Sequence, residues 1–254
     1  FLLSVTILNA LSLLGLAFIR NPWSAVGIFI IYFALNILIV FSLDEILKIF
    51  SKNSATGGVR GIYVALCNLA WIFAQFFSGR ILGESSFQRV YFISFIIMAA
   101  FFLVYFLSFR NIPDPKYDKL KILASIKEFF KNKNLSRAYK INLLLQFFFS
   151  WMVIYTPVYL SLHLGFTWQE IGIIFAIMLL PFFIFPFPLG KYSDKIGERK
   201  MLMLGFTISS LATFYIFFID QHEVWIWATV LFMTRVGASM IEIMSDVYFF
   251  KHIK

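Results

Sequence analysis

The residues most able to do chemistry here are charges where apolar side chains dominate. Arg235 is the twelfth residue of a 21-residue apolar stretch, 224–244, and Glu242 follows it by seven positions. Seven residues are two helical turns, so the two share a face about 10 Å apart along the axis. Between them Gly237, Ala238 and Ser239 are small enough to let another helix approach closely. An arginine at mid-bilayer is expensive and turns towards a cavity or a partner. Arg235 and Glu242 are therefore the charges that most need a cavity or a partner. The alternative is an arginine that snorkels or pairs with a carboxylate inside a packed bundle.

Other chemistries find little support. The three histidines, His163, His222 and His252, are scattered, and the single Cys67 sits in an apolar run. One cysteine excludes an internal disulfide and a Cys-x-x-Cys redox motif. His163 and Glu170 fall at the edge of an apolar run with no third ligand near them, which reads as a hydrated loop and not a metal site. A membrane-bound enzyme would show acids or histidines gathered at one membrane face, and none are gathered; no cofactor is expected. The uncharged polar residues Asn36, Gln146, Ser150, Tyr155 and Thr156 lie inside apolar runs. They are either hydrogen-bonding groups along a solute path or glue between helices.

The elements that must position these residues are helices in a bilayer. The chain of 254 residues is 61% hydrophobic and 20% aromatic, and only 14% is charged, against about a quarter in soluble domains. Eight apolar runs, 1–19, 23–43, 61–79, 90–109, 141–162, 169–189, 201–219 and 224–244, are each about long enough to span. None alternates as a barrel strand does, and only helices satisfy their own backbone in lipid. The fold class is thus all-α, a polytopic transmembrane bundle. Pro157, Pro181, Pro186 and Pro188 should kink or break two of the helices.

Charge sets the topology. Segments 44–60, 110–140, 190–200 and the tail carry 18 Lys and Arg; the alternate connections carry only Arg20, Arg80 and Arg89. The positive-inside rule puts the basic side, and both ends of this sequence, in the cytoplasm of a plasma membrane of bacterial type. The net charge of +9 is then topology and contact with an anionic inner leaflet, not a nucleic-acid footprint. The long basic segment 110–140 separates a four-helix part, 1–109, from another, 141–254. Within it Leu120, Leu123, Ile126, Phe129 and Phe130 recur at helical spacing among lysines, which predicts an amphipathic helix on the inner leaflet or a plain linker.

Residues 190–200 read GKYSDKIGERK, with Gly190, Asp194, Gly197, Arg199 and Lys200 in the spacing G-x-x-x-D-x-x-G-x-R-K. Helix-flanking Arg-Lys and turns with Asp and Gly are common; the full spacing is less so. It resembles the signature loop of the major facilitator superfamily of secondary transporters. That family has twelve helices in two halves of six, with the loop between helices two and three and a weaker copy between eight and nine. The resemblance implies that this sequence covers helices three to ten, cut at both ends, with the basic segment 110–140 as the central cytoplasmic linker.

The resemblance implies function as well. Helices one, four, seven and ten line the family's central path, which places Arg235, Asn36, Gln146 and Tyr155 on path-lining helices and makes Arg235 a candidate substrate or coupling residue and Glu242 a candidate proton site or latch partner. The signature arginine is often near an acid at a cytoplasmic helix end, which pairs Arg199 with Asp246 or Glu242; Asp44 holds the position equivalent to Asp246 in the first half. The expected activity is alternating-access transport of a small-molecule substrate, with protons as the candidate coupling ion. A polytopic membrane enzyme and a non-transporting scaffold or sensor are the rival readings.

Overall fold

The computed structural model describes residues 1–50, 56–84, 86–109, 122–186, 188–189 and 196–252. Every regular element among them is a helix: α1 Leu2–Phe18, α2 Pro22–Phe50, α3 Thr56–Glu84, α4 Phe87–Phe109, α5 Ile122–Lys131, α6 Lys133–Leu162, α7 Trp168–Ile184, α8 Glu198–Ile216 and α9 Val224–His252. Eight of these correspond to the apolar runs, and α5 to the amphipathic stretch. Five contain spans long and apolar enough to cross a bilayer: Pro22–Leu47, Ile62–Gly83, Phe87–Ser108, Lys133–Leu162 and Val224–Phe249. The apolar helices α1 and α7 have 17 residues each, at the lower limit for spanning. Helix α8 opens with Glu198, Arg199 and Lys200 before its apolar stretch.

Pro186 interrupts the sixth run without ending it. Its missing N–H removes a helical donor from the Phe182 carbonyl; α7 ends at Ile184 with Phe185 as its cap, and residues 186, 188 and 189 are helical again. Pro157 and Pro181 are held inside α6 and α7. Helix α6 begins at Lys133, ahead of the apolar run at 141, because Asn132 caps it: its Oδ1 accepts from the backbone N–H of Asn134 and of Leu135.

The chain forms two compact units. One comprises residues 1–66 and 81–116, the other residues 67–80 and 117–254. The stretch 67–80 of α3 thus packs with the second unit, a grouping that does not follow the division of the chain at 110–140.

In the first unit α1 lies against α2 and α4. Leu2 and Val5 of α1 and Ile39 of α2 form a core, joined by Met98, Phe101 and Tyr105 of α4. Two buried polar residues of α1 are tied to backbone: Thr6 Oγ1 donates to the Leu2 carbonyl at 2.8 Å, and Asn9 Nδ2 donates to the Tyr32 carbonyl of α2 at 3.2 Å.

In the second unit α9 is the central helix, packed by α6, α7 and α8. Its N-terminal half contributes Trp227, Ala228 and Leu231 to a core with Leu160, Ile174 and Met178. Against α8 it makes a close crossing. A Cβ on Gly237 would lie 2.5 Å from the Gly205 carbonyl oxygen and 2.6 Å from the Ser209 nitrogen, and one on Gly205 would lie 2.9 Å from the Gly237 carbonyl oxygen. Only glycine lets the two backbones meet this closely. Ser209 Oγ then donates to the Thr234 carbonyl at 3.0 Å. The segment 67–80 of α3 uses the same device on α7, where a Cβ on Gly79 would lie 2.6 Å from Gly172 Cα.

Helix α5 lies along α6 through rings: Phe130 and Phe129 stand edge-on to Tyr139 at 5.4 and 6.1 Å, and Phe129 meets Phe249 of α9 at 6.2 Å. Part of its apolar face therefore contacts protein. Ile126 and Phe130 remain exposed.

Candidate functional site

Helix α9 builds the site. Arg235 is 2% exposed, two residues before Gly237 of the crossing with α8 and facing the middle of α6. Its Cζ lies over the Phe149 ring at 4.9 Å and over the Phe148 ring at 5.6 Å. Both phenylalanines come from α6, and the surrounding wall is Leu145, Ala238 and Ile241 with Phe182 packed on it. Aromatic faces stabilise a guanidinium through their quadrupoles but accept no ordinary hydrogen bond. Arg235 Nε is buried and has no hydrogen-bond partner among the described residues. Buried polar atoms are nearly always bonded, and a buried charge all the more so. Among the described residues Arg235 Nε is thus a buried donor held in place without an acceptor.

Glu242 is the nearest countercharge along α9, half-buried and within electrostatic reach of Arg235. Asp246 follows on the same face one turn later and is exposed. The face therefore carries positive charge at mid-span and negative charge towards the C-terminal end. Ser239, fully buried between Arg235 and Glu242, bonds its own helix through the Val236 carbonyl.

Next to the site a cavity of about 650 Å³ lies between α6 and α8 above α9. Phe148 and Ile241 are walls common to the cavity and the arginine pocket, and Ser209, Ser210 and Thr213 supply its hydroxyls. Thr213 Oγ1 is buried there with no partner among the described residues.

The other residues singled out from the sequence are placed apart from this cluster. Gln146 and Tyr155 lie on α6 and are exposed; Tyr155 stacks on Trp151 at 4.5 Å. Asn36 and Asp44 lie half-buried on α2, in the first unit. Gly190 and Asp194 fall outside the described residues. Gly197 is the N-cap of α8 at φ +88°, a backbone conformation that favours glycine; Arg199 and Lys200 follow it, exposed.

Two arrangements are not legible in the order of residues. Phe148 and Phe149, two among 34 phenylalanines, could not be told from packing residues until α6 was placed against α9. His222, from the connection between α8 and α9, and Glu170, in the first turn of α7, meet at one end of the unit. His222 Nδ1 lies 2.6 Å from the Leu164 carbonyl, its ring stacks on Phe166 at 4.0 Å, and its Nε2 is 3.9 Å from Glu170 Oε1. A carbonyl only accepts, so Nδ1 carries the proton. Glu170 itself closes a capping box with Thr167 at the start of α7. At the opposite end Tyr248 donates to Asn134 Oδ1 at 3.1 Å, and Ser245 to the Ala138 carbonyl at 3.4 Å. The alternation of connections between two ends, inferred from charge, is the alternation seen within this unit.

Long apolar helices, glycine crossings and an intramembrane arginine define a polytopic helical membrane protein. A family model of the Major Facilitator Superfamily matches residues 1–253. The chain belongs to that superfamily, a family of membrane transporters. No curated protein and no solved structure matches it.

Proposed function

We propose that the protein moves a small solute across the membrane by alternating access, and that Arg235 stands on the solute path. The observation that carries this reading is the buried guanidinium of Arg235, mid-helix on α9, with no acceptor among the described residues. A charge at that depth is costly unless it works on a solute or an ion. Phe148 and Phe149 support the reading by holding the group without consuming its donors. Protons are the proposed coupling ion, with Glu242 as the carboxylate that takes them up two turns from Arg235. Asp246 and Arg199, both exposed, are the proposed partners in a latch between conformations, and Asp44 the corresponding acid on α2. Gln146, Tyr155 and Asn36 are proposed secondary contacts along the path. The basic side faces the cytoplasm in this reading, with the exposed part of α5 against anionic lipid.

The test is uptake by liposomes containing the full-length protein, with and without a proton gradient. Wild-type protein is expected to accumulate a solute, and Arg235→Gln to fall to the level of empty liposomes while inserting normally. Undiminished uptake by that variant removes Arg235 from the path.

A further inference from the structure

Resting on the reading of Arg235 as a path residue, we infer the class of solute: one planar carboxylate carried on an apolar body. Three observations lead there. The first is the free edge of the guanidinium. Nε has no acceptor, and Nε–H and the adjacent Nη–H point in parallel, a fork that matches the two oxygens of a carboxylate. The second is the wall. Phe148 and Phe149 cover the guanidinium, and the cluster they join, Leu145, Ala238 and Ile241, is apolar. The neighbouring cavity shares Leu145, Phe148 and Ile241 with that cluster and is lined mainly by apolar side chains, with Ser209, Ser210 and Thr213 as its hydroxyls. A phosphate or a sugar acid brings more oxygens than three hydroxyls on one wall can serve, whereas an aliphatic or aromatic body suits the rest of the lining. The third is the charge along α9. Glu242 and Asp246 follow on the same face towards one end, so a second negative charge on the solute would meet two carboxylates. One charge is accepted and two are opposed.

A carboxylate on an apolar body is the chemistry of a small aromatic acid and of a fatty acid alike. The experiment therefore uses benzoate and palmitate as separate probes, each against its neutral amide, with the full-length protein in detergent and binding read by calorimetry. Acetate serves as the acid with almost no body. At least one of the two larger acids should bind about tenfold or more tighter than its amide and than acetate, since a charge-assisted bidentate contact is lost with the amide. Benzoate alone binding assigns a soluble acid, and palmitate alone a lipid-derived one. Arg235→Gln should abolish the preference, and Arg235→Lys should keep charge selectivity with about tenfold weaker binding, because an ammonium lacks the fork. Equal binding of acid and amide, no binding of either larger acid, or an unchanged preference in Arg235→Gln overturns the inference. The comparison of acid with amide on wild-type protein needs no variant, so a misfolded Arg235→Gln leaves the test intact. The two readings also fail separately. Acid binding at Arg235 without passage into liposomes removes transport and keeps the carboxylate site. Uptake of a neutral or cationic solute that ignores Arg235→Gln removes the carboxylate and keeps transport.

Discussion

Each of the two units buries a polar side chain deep in its core, and the two are held in different ways. In the first unit Asn9 is fully buried and its amide donates across to the Tyr32 carbonyl of α2. It is neutral and short, and bonded to a backbone carbonyl, with its Oδ1 buried and unpartnered among the described residues. In the second unit Arg235 is as deeply buried, carries a full charge, and is held by two rings that leave its Nε without an acceptor. Interhelical bonds like that of Asn9 contribute about 0.6 to 1.7 kcal/mol in membranes. The guanidinium makes no such bond among the described residues and meets two aromatic faces and the charge of Glu242 instead. Asn9 ties a helix pair together; Arg235 carries a desolvation cost that, under the proposed function, is kept for what the group binds.

That contrast gives the largest expected effect. Arg235→Met, similar in volume and uncharged, should reduce uptake about a hundredfold or more while leaving the melting temperature in detergent unchanged or higher, since replacing a buried charge by a packed apolar group is often stabilising. Asn9→Ala should do the reverse, lowering stability by about 1 kcal/mol with uptake per folded molecule retained. Parallel melting and uptake measurements on the two variants decide the matter. A destabilised Arg235→Met with normal transport makes the arginine structural and breaks the comparison.

The glycine crossing that positions Arg235 comes next. Gly237→Val puts a branched side chain where even a Cβ would be 2.5 Å from the Gly205 carbonyl oxygen. Helices α8 and α9 must separate, at a cost of about 3 kcal/mol or more. Loss of the folded monomer in detergent gel filtration is the expected outcome. Gly27, whose Cβ would meet nothing within 4 Å, is the control, and Gly27→Val should fold.

Much of this architecture is legible in the sequence, for physical reasons. Apolar length marks the helices because lipid leaves the backbone no other way to be satisfied. Basic residues mark the alternation of ends, and the contacts of His222 with Leu164 and of Tyr248 with Asn134 fall at the two ends that alternation demands. Arg235 and Glu242 stand out because charge is rare in such runs. What cannot be read is which of many identical apolar residues face the charge. Phe147, Phe148 and Phe149 are consecutive, yet only the last two reach Arg235, and Phe147 is exposed. That selection depends on the rotation of α6 about its axis, which a helix apolar on all sides does not encode. The grouping of residues 67–80 of α3 with the second unit is hidden likewise, since it rests on single atoms at Gly79, Gly172 and Asn68.

Asn68 supplies the smallest expected effect and a way to test how prolines are tolerated here. Pro186 has no N–H, so the carbonyl of Phe182, one turn earlier, loses its helical donor. Asn68 Nδ2 of α3 donates to that carbonyl at 2.8 Å. A carbonyl left bare in an apolar interior is costly, and this side chain satisfies it from a neighbouring helix, as membrane proteins do around prolines. Asn68→Leu should therefore cost about 1 kcal/mol in the wild-type background. In a Pro186→Ala background the restored N–H can serve Phe182, and the same substitution should cost close to nothing. Thermal unfolding of the four proteins in one detergent gives the coupling directly. Equal costs in the two backgrounds would show that Asn68 acts through packing alone, and that the carbonyl of Phe182 is satisfied without it.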